Sequence, residues 1–333
     1  MEGVRMDLFA DGAIIILMLV LGTVAFLSVS ALVEAVVGLC MGYKVQSASF
    51  LGFAIVWMNG KYEFTMVPAD ITLQISMYHE ESTGEKMVKR GVITAIILTV
   101  MVGIFDVVIF FHQWISNFTI GLMIGLFFGL LLQWKVTIDW IKNQYGNRPG
   151  KIFWERGIYI NGKLCAGTSP ADIIVQEIPI ERYREYVQKN VFAQNCLFYD
   201  YLYHLDVGNF ERLKGYVELF DLIVDKDFNV PMNQIGFVYE MLYFYSVVQP
   251  DLQKAEYYHS RIEEHLGNDM DCNGCRVLAA YLYGTKKGKE GALKEIQRGL
   301  MVADKFRPQG QAKMEKKLLL NLRDRILQYQ NLA

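Results

Sequence analysis

Residues 12–41 read GAIIILMLVLGTVAFLSVSALVEAVVGLCM. An α-helix rises about 1.5 Å per residue, so roughly 20 apolar residues cross the ~30 Å hydrocarbon core of a bilayer. This stretch is longer, with room to tilt or run past the interface, and its single charge is Glu34. Ahead of it, Arg5 stands against Glu2, Asp7 and Asp11. That is the wrong sign for a secretory leader, and the apolar run is too long for one, so the segment is expected to be a retained membrane helix.

Two further stretches meet the same length test, 91–111 and 115–134, separated only by His112-Gln113-Trp114. Those three residues predict a tight turn with an interfacial aromatic. Three spans put residues 43–90 and everything after 134 on one face. Both regions are basic, with Lys44, Lys61, Lys86, Lys89 and Arg90 in the first, and Lys135, Lys142, Arg148, Lys151 and Arg156 in the second. By the positive-inside rule the N-terminus faces outward and the C-terminal part is cytoplasmic, in a multi-pass protein of the cell membrane. Between the first two spans, residues 43–66 mix β-branched and aromatic side chains around Asn59-Gly60, which predicts a small β-hairpin at the membrane face. Residues 70–90 carry Met, Ile and Leu among charges and are expected to skim the interface.

Composition agrees with that division. The 333 residues are 53% hydrophobic, with a mean hydropathy of +0.20, too apolar for an ordinary soluble chain. The excess sits in the first half. Disorder, a collagen-like fibre and a disulfide-rich secreted scaffold are excluded. A formal net charge of −2 leaves no basic field for nucleic acid. Five scattered cysteines suit a reducing compartment, and no Gly-rich phosphate loop or G-x-S-x-G elbow occurs.

Ionisable groups inside membrane segments are costly and are functional candidates by default. Two qualify here, Glu34 near the cytoplasmic end of the first span and Asp106 in the second. The plain alternative is that each is satisfied inside the bundle by hydroxyls such as Ser28, Ser30 or Thr94.

Around Glu34 the sequence resembles a known family. Val33-Glu34-Ala35-Val36-Val37, then Gly42-Tyr43-Lys44-Val45, then Phe50-Leu51-Gly52 through Gly60-Lys61-Tyr62-Glu63-Phe64 is similar to the first motif helix and following hairpin of the site-2 proteases, intramembrane zinc metalloproteases. The members it resembles most are bacterial, Gram-positive ones with a helical cytoplasmic tail, and residues 148–154 continue the likeness. The resemblance implies H-E-x-x-H where this chain has Val33-Glu34-Ala35-Val36-Val37. Glu34 matches the general base, and Asp139 in Val136-Thr137-Ile138-Asp139-Trp140 matches a third ligand beyond the last span, with Asp-Trp in place of Asp-Gly. Zinc catalysis needs three protein donors and one open position. Valine has no lone pair to donate, and none of His79, His112, His204, His259 and His265 lies in the first span. No metal and no cofactor is therefore expected. Cys272-Asn273-Gly274-Cys275, near His265 and Asp269, has metal-like spacing, yet a lone C-x-x-C lacks a second ligand pair.

From residue 183 the pattern becomes amphipathic helices of 15 to 20 residues. Val207-Gly208-Asn209, Gln249-Pro250-Asp251 and residues 285–288 break it at a spacing of roughly 40, and Gly215, Ala255 and Ala292 follow each break. Stacked helix pairs resembling tetratricopeptide repeats are expected over 183–333, closed by a helix at about 311–328 whose charges, including Glu315, face solvent. Tyr199, Tyr203, Tyr239, Tyr243 and Tyr281 fall on the first helices of the pairs and are candidates to meet a cytoplasmic partner, the alternative being interhelix packing. Residues 140–182 form a connector rich in turn signals such as Asn161-Gly162.

The expected protein is mainly α: a three-span membrane domain over 1–139 with a β-hairpin, a connector, and cytoplasmic helical repeats. Its expected role is that of a pseudoprotease, a scaffold or regulator binding a membrane protein or peptide segment. Two alternatives stand beside it, a divergent active intramembrane protease and an accessory subunit of a peptide export or immunity system.

Overall fold

The computed structural model describes residues 2–58, 61–66, 71–146, 150–224, 230–269 and 271–328. The chain is mainly helical and divides into two compact units, Met1–Lys151 and Ile152–Ala333.

The first unit holds three long helices, α1 (Glu2–Cys40), α2 (Gly84–Phe111) and α3 (Asn117–Tyr145), each long and apolar enough to cross a membrane. Thr83 starts α2 by accepting from the Lys86 amide, so this helix begins seven residues before the expected apolar span and takes in Lys86, Lys89 and Arg90. At its other end α3 runs on past Trp134 to Tyr145, so Asp139 lies within this helix rather than beyond it. A Ser116 capping box opens α3 immediately after the His112-Gln113-Trp114 turn, where Gln113 takes a left-handed φ of 53°.

Glycine sets the helix packing. Gly121, Gly125 and Gly129 recur every fourth residue on one stripe of α3 and receive Ile15, Leu19 and Phe26 of α1 in turn. A Cβ at Gly22 would lie 2.7 Å from the Leu122 carbonyl oxygen, so the backbones approach as only small residues allow. Farther along, Ser30 Oγ meets Gln133 Oε1 at 3.1 Å. The contacts advance together, so α1 and α3 are parallel. Between them and α2 the order reverses: Gly91 lies against Trp140, and Trp134 Nε1 donates to Thr99 Oγ1 at 3.0 Å.

The segment between α1 and α2 is larger than the predicted hairpin. It forms a four-stranded antiparallel sheet of order β3-β2-β1-β4, with β1 Lys44–Phe50, β2 Phe53–Met58, β3 Lys61–Met66 and β4 Gln74–Tyr78. Asn59-Gly60, the predicted turn, lies outside the described residues, while the strands on either side of it pair as a hairpin. A second two-residue turn, Leu51-Gly52, joins β1 to β2, with φ of 50° and 83°. Positive φ at both central residues is the type I′ pattern, which leucine rarely adopts, so this turn carries no visible signature. Over residues 71–90 the chain forms β4 and the first turns of α2.

In register, β2 and β3 pair Phe53 with Met66, Ile55 with Phe64 and Trp57 with Tyr62. These side chains share one face, and Phe53, Ile55, Tyr62, Phe64 and Met66 are exposed on it. β4 lies beside α1: the Leu73 amide donates to Ser28 Oγ at 3.2 Å, and Met77 packs on Gly38. Ser28 to Gly38 is about 15 Å of helix, so the sheet runs along the last turns of α1.

The second unit is built from helices without strands among the described residues: α4 (Lys151–Cys165), α5 (Ile180–Tyr186), α6 (Val191–Val207), α7 (Phe210–Ile223), α8 (Ile235–Tyr243), α9 (Leu252–Asn268), α10 (Cys272–Gly284), α11 (Lys289–Val302) and α12 (Gln309–Gln328). Asn161-Gly162, a turn signal in the sequence, sits inside α4. The helices pack as neighbours α6 on α7, α8 on α9 and α10 on α11, with α12 against α10 and α11. One continuous core runs from Phe153 to Ile326. The breaks have physical causes: Gly208 ends α6 in the left-handed region, and Asp251 caps α9 by accepting from the Lys254 amide. Ala255 and Ala292 are fully buried, and a Cβ on Gly215 would strike Ile180, so the recurring small residues mark close helix contacts.

Candidate functional site

Glu34 lies on the last turns of α1 and Arg90 on the second turn of α2, at the same end of the bundle because the two helices are antiparallel. Their side chains form an ion pair, Arg90 Nη2 to Glu34 Oε1 at 2.9 Å. The Arg90 guanidinium also stacks over the Tyr43 ring at 4.5 Å, and Tyr43 meets His79 edge-on at 5.2 Å. Lys86 Nζ lies 3.4 Å from His79 Nε2. Burial, then the Lys86 charge, lowers the His79 pKa, so this ring is neutral at pH 7. The carboxylate of Glu34 is thus held by a fixed guanidinium. Ser28, Ser30 and Thr94 do not satisfy it: Ser28 Oγ donates to the Val24 carbonyl, Ser30 bonds Gln133, and the Thr94 hydroxyl is buried without a partner.

Val33 and Val37 stand on either side of Glu34. Val33 packs against the cluster of Phe26, Leu98, Val102 and Leu130, and Val37 is buried. Where the resemblance implies zinc ligands, the side chains are hydrocarbon committed to packing. Asp139 is exposed, because α3 turns Thr137 and Trp140 toward Gly91 of α2, and no ion pair or hydrogen bond joins it to Glu34. Among the described residues no three His, Cys, Asp or Glu side chains converge as a metal site. The donor set does not fit a zinc ion, and no hydrolytic step is derived through one.

Asp106 is half-buried in α2, and its Oδ1 is shielded from solvent with no hydrogen-bond partner.

In the second unit the candidate tyrosines divide. Tyr239, Tyr243 and Tyr281 are buried: Tyr239 donates to Asp269 Oδ2 at 2.8 Å, Tyr243 lies under the Arg276 guanidinium at 4.3 Å, and Tyr281 stacks on His259 at 3.9 Å. These three rings serve interhelix packing. Tyr203 is exposed and Tyr199 half-buried, and both line a cavity of about 240 Å³ between α4, α6 and residues 170–177. Cys272 and Cys275 are buried at the start of α10 as free thiols, and burial raises the pKa of both, which suits neither metal binding nor nucleophilic attack.

Two buried charge clusters were not anticipated. Arg276 bridges Glu240 (2.6 Å) and Glu315 (2.5 Å) with all three side chains essentially sealed from solvent, so Glu315 faces the core and not solvent. The signal existed, since Glu315 falls on the stripe of Gln311, Met314, Leu318, Leu319 and Leu322, and Glu240 and Arg276 interrupt apolar helices. The second cluster is Asp200, held by the Arg156 guanidinium and by Tyr183 OH at 2.5 Å. Burial pushes its carboxyl up to about 6 against the pull of Arg156.

Compared with known proteins, the chain matches no family model, no curated protein and no solved structure.

Proposed function

We infer that the chain is an integral membrane protein of three spans, a metal-free relative of the site-2 proteases, that holds a membrane protein or peptide segment without cleaving it. The observation that carries this reading is the Glu34–Arg90 pair: the general-base position of the resembled motif is neutralised by a guanidinium, between a half-buried Val33 and a buried Val37 where nitrogen donors would be needed. Valine side chains offer no lone pair to a metal ion, and the Glu34 carboxylate is already engaged by Arg90.

Membrane residence is supported by the apolar surface. No more than 28% of the most apolar part of any of the three long helices is buried, and Ile16, Leu17, Val36, Ile104 and Phe110 are exposed. Water would not tolerate a surface of that kind, whereas lipid would solvate it. The exposed aromatic face of the sheet, running beside α1, suits the interfacial layer of the same bilayer. The N-terminus is then outside and the helical unit cytoplasmic. Its successive helix pairs, closed by α12, act as a repeat-like docking module for a cytoplasmic partner.

The test compares membranes of cells carrying the wild-type chain with those carrying Glu34→Gln. Identical sets of membrane-protein cleavage products are expected. A product that vanishes in Glu34→Gln restores the reading of a divergent protease. Orientation is tested by an impermeant maleimide in a Cys40→Ser background: His112→Cys labels in intact cells and Lys142→Cys only after lysis.

A second reading has one observation in its favour. An accessory subunit pairing its helices with a multi-span partner would give Asp106 Oδ1 the hydrogen bond it lacks.

A further inference from the structure

Between α4 and α5, residues 173–179 form neither helix nor strand, with extended main-chain angles at Ile173, and the segment is pinned by the buried side chains of Ile173 and Ile178. Among the described residues, no main-chain hydrogen bond reaches the amides or carbonyls of 174–178. Ile174, next to the buried Ile173, is 91% exposed, the most exposed of the large hydrophobic side chains described. Beside this strap opens the 240 Å³ cavity, walled by Ile160, Leu164 and Leu202 with Arg156, Asp200 and His204 at its polar side.

We propose that this cleft binds an extended, uncharged peptide segment that pairs its main chain with residues 174–177 and places one large apolar side chain in the cavity.

Three observations select that occupant. A segment whose main chain is unpaired is a template for an extended peptide, because each free amide and carbonyl gains a partner when one is added. The cavity is smaller than the roughly 300–1,000 Å³ of pockets that enclose drug-sized molecules, which favours a single side chain over a whole ligand. Its charges are already balanced: Arg156 pairs with Asp200, and Glu177 with Arg212 and, at 3.6 Å, with His204 Nε2. A charged side chain would have to break one of these pairs, and a neutral one would not. Arg156 Nε and His204 Nδ1 are shielded and have no hydrogen-bond partner, so the wall still lacks the polar contacts that a peptide group would supply.

The inference rests on the reading of the helical unit as a docking module, and peptide titration judges this cleft alone, since the cleavage comparison reads the other unit. The probe is an N-acetylated, C-amidated heptapeptide of alternating Thr and Val with a central Leu, titrated against the full-length chain in detergent by fluorescence anisotropy. Saturable binding is expected, with slowed hydrogen exchange at residues 174–177. Placing Asp at the centre, or N-methylating alternate amides, weakens it by at least about tenfold. On the protein side, Leu202→Trp fills the cavity from within. Ile174→Pro deletes one strap amide at an exposed position that makes no main-chain hydrogen bond, and thermal melting by circular dichroism checks that this variant stays folded. Both variants are expected to lose binding. No saturation, or equal affinity for the Leu, Asp and N-methylated peptides, overturns the proposal, as does unchanged binding by Ile174→Pro.

Discussion

Replacing Arg276 by methionine is the sharpest perturbation available in the helical unit. Its guanidinium sits at zero exposure between two carboxyls, with Glu240 Oε1 at 2.6 Å, Glu315 Oε2 at 2.5 Å and the Tyr243 ring on one face. Removing one partner of a buried ion pair costs about 3–5 kcal/mol, because the remaining charge is left without compensation. Here two acids would be left. For a unit of this size 1 kcal/mol moves the melting temperature by about 2–4 °C, so Arg276→Met is expected to melt about 6–20 °C below wild type. Glu240→Gln is the internal control. Burial already pushes the Glu240 carboxyl up toward its neutral form, and the substitution leaves Arg276 paired with Glu315, so the expected loss is about 1 kcal/mol or less. The assay is thermal unfolding of the purified chain followed by circular dichroism at 222 nm. Arg276→Met melting within about 3 °C of wild type, or Glu240→Gln losing as much as Arg276→Met, would refute the reasoning.

Gly125→Leu should prevent α1 from seating on α3, since Leu19 and Thr23 occupy the space a side chain needs, whereas Gly103→Leu, in open space, should be silent; proteolytic resistance in detergent separates the two. For Asp200, the folded carboxyl titrates near 6 and an unfolded one near the ordinary 3.8, so the folded state binds the proton more tightly. The stabilisation is full below pH 3.8 and is lost as pH rises through 6. Wild type should therefore lose stability relative to Asp200→Asn between pH 4 and 7, and parallel denaturation profiles across that range would contradict the assignment.

Length and hydropathy made the three long helices legible, because a run such as residues 12–41 admits few other readings, and charge-rich ends blurred only their limits: Arg90 was read as loop although Thr83 caps the helix before it. The sheet was half legible. Asn59-Gly60 announced one hairpin, but Leu51 in a left-handed turn announces nothing, and β4, although Thr72 to Met77 alternates polar with apolar, is only five residues long and has no turn signature of its own. The G-x-x-x-G-x-x-x-G stripe of α3 was visible in principle and is what brings α1 and α3 together. At the candidate site the hydrocarbon side chains of Val33 and Val37 were plain in the sequence, whereas the partner of Glu34 was not. Arg90 is 56 residues away in sequence, and only the antiparallel packing of α2 brings it to the carboxylate. The tyrosines divide for a related reason, Tyr199 and Tyr203 lining a cavity and Tyr239, Tyr243 and Tyr281 lying between helices: a pattern every 40 residues identifies equivalent positions, and does not say whether those positions face a groove or a neighbouring helix.

The central claim is that a guanidinium, and not a metal ion, compensates Glu34. Elemental analysis of the purified full-length chain, expressed with added zinc and washed without chelator, tests it most directly, with Glu34→Gln prepared in parallel. The account predicts zinc far below one equivalent in both proteins. One equivalent in the wild type that disappears in Glu34→Gln would contradict it.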